Sequence, residues 1–169
     1  MRKIIIDKVT INIGVGQPGE PLEKAEKLLK KMFPGKKPVR TKAKKRIPEW
    51  GVRPGLEIGV KLTLRKKEAE EALGWLLKAV NNTLSEKQFD EFGNFSFGIK
   101  EYVWISGLKY DPEIGLFGMD VCVTVRRPGY RVMLRKIKKS KIPRRHRTTK
   151  EEVIEFLREK YGVKIVGES

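Results

Sequence analysis

Apolar and polar positions alternate from Lys8 to Val15. Val9, Ile11, Ile13 and Val15 fall on one face and Thr10, Asn12 and Gly14 on the other, the pattern of a half-buried strand. The period then changes: Leu22, Ala25, Leu28, Leu29 and Met32 recur at helical spacing, and Pro34-Gly35 stops the helix. Alternation resumes from Val39 to Arg46, which would line up Arg40, Lys42, Lys44 and Arg46 on one side of a strand. Another strand is predicted through Leu56, Ile58, Val60, Leu62 and Leu64, with Glu57, Lys61, Thr63 and Arg65 opposite. Between these two, "IPEWGVRPG" has the Pro and Gly content of a turn or extended loop.

Ala69, Ala72, Leu73, Leu76, Leu77, Val80 and Leu84 define a second amphipathic helix. Strands are then read through Phe95, Phe97 and Ile99, in a run reaching Trp104, and through Val121, Val123 and Val125. Thr149 and Glu152 form a capping box for a third helix, which Gly162 ends. This order predicts an α+β fold, a mainly antiparallel sheet with helices packed on one face and the other face open. Residues 1–125 would form the core, and 126–169 a basic C-terminal segment ending in a helix, packed on the core or appended to it.

Charge sharpens the picture. The 169 residues carry 38 Lys and Arg against 21 Asp and Glu, a net of +17. Pro34 to Arg46 holds seven basic residues and no acid, and Arg126 to Lys150 holds twelve and no acid. Outside these stretches 19 basic residues face 21 acidic ones, so the excess is confined to two blocks. Concentrated blocks build a field that attracts a polyanion, whereas solvated tails, the other reading of a charge run, would lack their apolar residues at structured spacing. No apolar run approaches a membrane span and the N-terminus lacks a signal-peptide pattern, so a cytoplasmic protein without membrane contact is expected.

Catalytic inventories are thin. One cysteine, Cys122, and one histidine, His146, leave zinc and histidine-dependent triads without partners, so no metal, cofactor or enzyme activity is expected. Cys122 reads as a small structural residue in a strand, and His146, inside "RRHR", as a phosphate or base neighbour. Gly14, Gly16 and Gly19 spell G-x-G-x-x-G, but the strand before them alternates, Lys27 to Pro48 contains no acid for a ribose, and Pro18 removes a backbone donor. The glycines instead let a ligand backbone approach, with Asn12 free to hydrogen-bond it. Trp75 and Trp104 read as core; Trp50, beside Arg53 in the loop, fits packing and partner stacking equally.

The positive case is structured RNA: cations for phosphates beside short polar donors such as Asn12 and Thr63, with no helix-turn-helix, zinc-finger or basic-zipper pattern. The rivals are a free-standing RNA chaperone, which would bind many RNAs alike, and a nicotinamide enzyme, which its cofactor would protect against heating. "KVTINIGVG", "GKKPVRTKAKK", "GVRPGLEIGVKLTLR", "FDEFGNFSFGIKE" and "GMD", in this order, resemble the large-subunit ribosomal protein of the L-five family, which binds 5S rRNA. The basic remainder with "HRTTKEEVIEFLREKYGV" resembles the archaeal and eukaryotic branch.

The resemblance implies 5S rRNA contacts at Asn12, the Gly35-Lys36-Lys37-Pro38 turn, Thr63 and Arg65. Many bacterial relatives carry glutamine where this chain has Lys36, so charge attraction would replace amide hydrogen bonding there. With the glycines and the charge pattern, the expected rRNA-binding set is Asn12, Gly14, Gly16, Lys36, Lys37, Arg40, Thr41, Lys42, Lys44, Arg46, Thr63 and Arg65. The resemblance also implies that the loop at Val52, Arg53, Pro54 and Gly55 projects toward P-site tRNA. Its implied partners are 5S rRNA, large-subunit rRNA, P-site tRNA and neighbouring ribosomal proteins of the central protuberance.

Overall fold

The structure is a computed structural model, and it describes residues 1–167. Five strands, β1 (Ile5–Gly14), β2 (Val39–Lys42), β3 (Glu57–Arg65), β5 (Phe95–Ile99) and β6 (Met119–Arg126), form one sheet in the order β2-β3-β1-β6-β5. A short β4 (Thr83–Ser85) pairs in parallel with β7 (Lys164–Val166) in a second sheet. Each long strand buries alternate residues, among them Ile11 and Ile13 on β1, Val60, Leu62 and Leu64 on β3, and Val121, Val123 and Val125 on β6. The residues between them stay exposed or half-buried, so one side of the sheet is covered and the other is wet. On β1 the alternation slips a step between Ile6 and Val9, both buried. The expected α+β architecture is the one observed.

The chain divides into two compact units. One comprises Thr10–Thr63 and Gly98–Val121. Its helix α1 (Glu20–Met32) buries Leu22, Ala25, Leu28, Leu29 and Met32, the apolar stripe of the sequence. Glu20 and Glu23 sit in its first turn and Lys30 and Lys31 in its last, each complementing the helix dipole. Lys31 also pairs at 2.8 Å with Asp111.

The other unit comprises Met1–Val9, Leu64–Phe97 and the chain from Cys122 on. Its helix α2 (Lys66–Lys78) stops before Val80, because Asn81 and Asn82 turn to φ of 54° and 51°, and Leu84 joins β4 rather than the helix. Helix α4 (Lys150–Tyr161) has the predicted capping box, Thr149 N donating to Glu152 at 3.2 Å, and ends at Gly162 with φ 64°. Gly93, at φ 77°, packs so closely that a Cβ there would meet Val153 Cγ2 at 2.4 Å.

Two further expectations are revised. The Val39–Arg46 strand ends at Lys42, after a register shift between Thr41 and Lys42. Trp104 lies in a single 3-10 turn at Tyr102–Trp104 and is 52% exposed; Tyr102 fills the core there. The basic block forms a short helix α3 (Arg131–Leu134), buries Ile142, and sets Arg127 Nη2 2.7 Å from Glu152 Oε2. His146 is spent inside the fold, its Nε2 2.8 Å from Pro128 O, while Cys122 sits on the exposed side of β6.

Candidate nucleic-acid interface

In the unit built on α1, the wet face carries small groups. Thr10, Asn12 and Gly14 on β1 alternate with buried Ile11 and Ile13; Lys61 and Thr63 on β3 alternate with buried Val60 and Leu62, while Gly59, on the same side as Lys61 and Thr63, is itself buried. Thr10 Oγ1 lies 3.4 Å from Thr63 Oγ1, so two neighbouring strands present one hydroxyl pair. Thr41 stands opposite Gly59, and the fit is tight: a Cβ on Gly59 would meet Thr41 Oγ1 at 2.8 Å and Ile13 O at 2.9 Å. Next to these, Asn12, Gly14, Gly98, Lys100, Gly118 and Asp120 line a shallow depression of about 540 Å3. An added Cβ would meet nothing within 4 Å at Gly14 and only Asp120 Oδ1, at 3.6 Å, at Gly98, which lets another backbone approach; at Gly118 that space is taken by Lys100 O at 2.8 Å.

Asp120 is the group that sequence reasoning passed over. It lies on the exposed side of β6, with its Oδ1 3.6 Å from where a Gly98 Cβ would stand. Its signal was the alternation Met119, Asp120, Val121. A carboxylate repels phosphate but accepts from hydroxyl and amino groups, so Asp120 adds an acceptor to a face otherwise made of hydroxyls, an amide and bare backbone.

The predicted row of cations is not a row. Arg40 faces Val60, a buried residue on the helix-covered side, and its Nε reaches Glu26 of α1 at 2.9 Å and its Nη1 Glu57 at 3.1 Å. Lys30 first, and Arg40 second, hold the Glu26 carboxyl below the usual range, and the two carboxylates raise Arg40 above its own. Lys42, Lys44 and Arg46 are exposed, with no ion-pair partner among the described residues. The register explains the split: a strand of four residues with a bulge cannot hold four alternate cations on one face.

The other expected contacts disperse. Lys36 and Lys37 occupy the turn after α1, where Gly35 has φ 80° and Lys36 N donates to Phe33 O at 3.2 Å. Gly16, at φ 81°, donates its N–H to Ile58 O at 2.8 Å and has open space beside its α-carbon. Arg65 belongs to the other unit, its Nη1 3.7 Å from Asp7 Oδ1, which also accepts from Arg126 at 2.7 Å.

The segment after β2 folds back on itself as an ordered hairpin. Ala43 and Leu56 share a backbone bond of 2.8 Å, Gly55 N donates to Ala43 O at 3.0 Å, and Ile47 and Val52 exchange bonds of 2.9 and 3.1 Å. Val52 is 3% exposed, so it anchors the hairpin and is not free to touch a partner. Arg53, Pro54 and Gly55 are exposed, and at the tip Trp50 is 71% exposed, which removes packing from its two readings.

Among the described residues no three His, Cys, Asp or Glu side chains group as metal ligands, and no helix is long and apolar enough to cross a membrane. The site is an uncovered sheet face of mostly small polar groups, followed in the chain by Lys42, Lys44 and Arg46, which have no ion-pair partner among the described residues. Residues 57–156 match the model for the C-terminus of the ribosomal protein L5 family, and residues 1–53 match the one described as Ribosomal protein L5. A large ribosomal subunit protein uL5 of Sulfolobus acidocaldarius is 57% identical over 98% of this chain and 93% of its own length. Those of Sulfurisphaera tokodaii and Nanoarchaeum equitans are 56% and 54% identical, each over 98% of this chain and over 94% and 98% of their own. The chain belongs to the ribosomal protein L5 family, in its archaeal form, a family of structural and non-enzymatic proteins of the large ribosomal subunit.

Proposed function

We propose that the protein binds 5S rRNA on the open face formed by Asn12, Gly14, Thr41, Lys61 and Thr63, and anchors it to the large-subunit rRNA. It would do so in the central protuberance of cytoplasmic ribosomes, beside neighbouring ribosomal proteins. The hairpin tip at Trp50, with Arg53, Pro54 and Gly55, contacts P-site tRNA. The observation that carries this reading is the hydroxyl and amide surface of Thr10, Asn12 and Thr63 on an uncovered sheet. Duplex RNA is recognised through phosphates, 2′-hydroxyls and shape, and such a surface offers donors and acceptors at backbone distance.

Lys36, Lys37, Lys42, Lys44 and Arg46 supply the charge, and the face supplies selectivity. Measured against salt, log affinity for 5S rRNA should fall by about 0.7 to 0.9 for each phosphate neutralised, giving a slope of several. Competition with an unrelated duplex should leave 5S rRNA strongly preferred. A flat salt dependence, or equal competition, contradicts the reading.

A further inference from the structure

The unit that carries the basic C-terminal block contains a cavity of about 350 Å3, within the range of small-ligand pockets. Phe92, Tyr130 and Met133 wall it, and Lys8, Arg126 and Arg147 border it. Two guanidinium groups already lie over its rings, Arg147 Cζ 4.7 Å from the Phe92 centroid and Arg126 Cζ 5.9 Å from that of Tyr130. The walls are braced. Thr148 Oγ1 donates to Phe92 O at 2.6 Å, and Asn94 accepts from Val125 N at 3.1 Å while donating to Asp90 at 2.7 Å.

The lining is rich in donors and short of acceptors. Asp7, its one carboxylate, is already taken by Arg126 at 2.7 Å, whereas Arg126 Nε has no hydrogen-bond partner. Around it, Pro128 to Lys150 carries ten cations and no acid. Leu134 and Ile137 of that stretch stand 68% and 76% exposed. A flat, apolar-faced group with acceptors on its edge and anionic flanks satisfies all of these features together. An acidic peptide would match the charge but makes no use of the paired ring and guanidinium faces.

We infer that this cavity takes an unstacked nucleobase of ribosomal RNA, with the cations of the block on its flanking phosphates. The base packs against Tyr130 and the Arg147–Phe92 stack, and Arg126 and Lys8 meet its acceptor edge. Guanine, whose O6 and N7 form the commonest arginine-read edge, suits this donor set best. The inference rests on the chain acting as an rRNA-binding protein, but it concerns a contact separate from the one proposed on the open face.

Two photoreactive phenylalanine variants of the full chain, substituted at Tyr130 and at Thr63, assembled into large subunits, test it. The expected result is a crosslink from position 130 to one unpaired guanine that position 63 does not capture. A crosslink from 130 to protein, or none while 63 still captures 5S rRNA, overturns the inference and leaves the open-face reading intact. Capture at 130 with none of 5S rRNA at 63 does the reverse. In a second measurement, Tyr130→Leu should raise the chemical reactivity of that guanine several-fold with the 5S rRNA footprint unchanged, and Tyr130→Phe should restore protection. Equal reactivity in all three proteins overturns the inference.

Discussion

Arg40 Nε lies 2.9 Å from Glu26 Oε2, joining the edge strand β2 to helix α1 on the covered side of the sheet. A guanidinium spent in this way, with Glu57 as its second partner at 3.1 Å, contributes little to an external field. Arg40→Ala should therefore leave the salt slope of 5S rRNA binding unchanged, while Lys42→Ala and Lys44→Ala each flatten it by about 0.7 to 0.9. Salt titrations of the three variants decide the matter.

The same pairing predicts an acid response. Because Lys30 and Arg40 depress Glu26, its stabilisation is present above the ordinary value of 4.5 and disappears as pH falls through the lower folded value. Arg40→Ala should remove part of this, so the melting temperatures of wild type and variant converge below that window.

Gly59 has neighbours from β2 and β1 pressed against it, with Thr41 Oγ1 and Ile13 O at 2.8 and 2.9 Å from an added Cβ. Since Ile13 O is backbone and cannot turn away, Gly59→Ala should cost about 1–3 kcal/mol of stability, read from denaturant unfolding. Gly14→Ala, where an added Cβ meets nothing within 4 Å, should cost far less.

Val52 and Trp50 separate anchoring from contact in the hairpin. Val52→Ala opens a buried site and should destabilise by roughly 1–3 kcal/mol. Trp50→Ala should leave the melting temperature in place and weaken the protection of P-site tRNA in assembled ribosomes.

Tyr161 provides a test at alkaline pH. Burial first, and the Glu70 carboxylate second, push its phenol from 10.0 up to about 12. The folded state therefore resists ionisation, and the stability linked to it is whole below pH 10 and is lost as pH rises from 10 through 12. Thermal melts should show Tyr161→Phe falling less steeply than wild type across that window.

Much of this was legible in the sequence, for identifiable reasons. Periods of 2 and 3.6 follow from burial on one side, so β1, α1, β3 and the capping box of α4 could be read directly. Arg40 was placed with Lys42 because strict alternation does not announce a bulge, and the register shift between Thr41 and Lys42 parts the two. On a short edge strand whose Val39 is 56% exposed, composition gives no sign of it either. Asp120 was passed over because its meaning depends on Gly98 and Asn12, far away in the chain. Trp104 gave a strand-like signal, but Tyr102 two residues earlier took the buried place. The parallel pairing of β4 with β7, Leu84 opposite Ile165, is a long-range contact that no local pattern announces.

RNA meeting the open side of the sheet is the claim on which most else depends. Photoreactive side chains placed at Lys61, on that side, and at Lys27, exposed on α1, in the isolated protein–5S rRNA complex test it directly. Capture of 5S rRNA from position 61 and none from position 27 is the predicted result. Capture from 27 with none from 61 would contradict it.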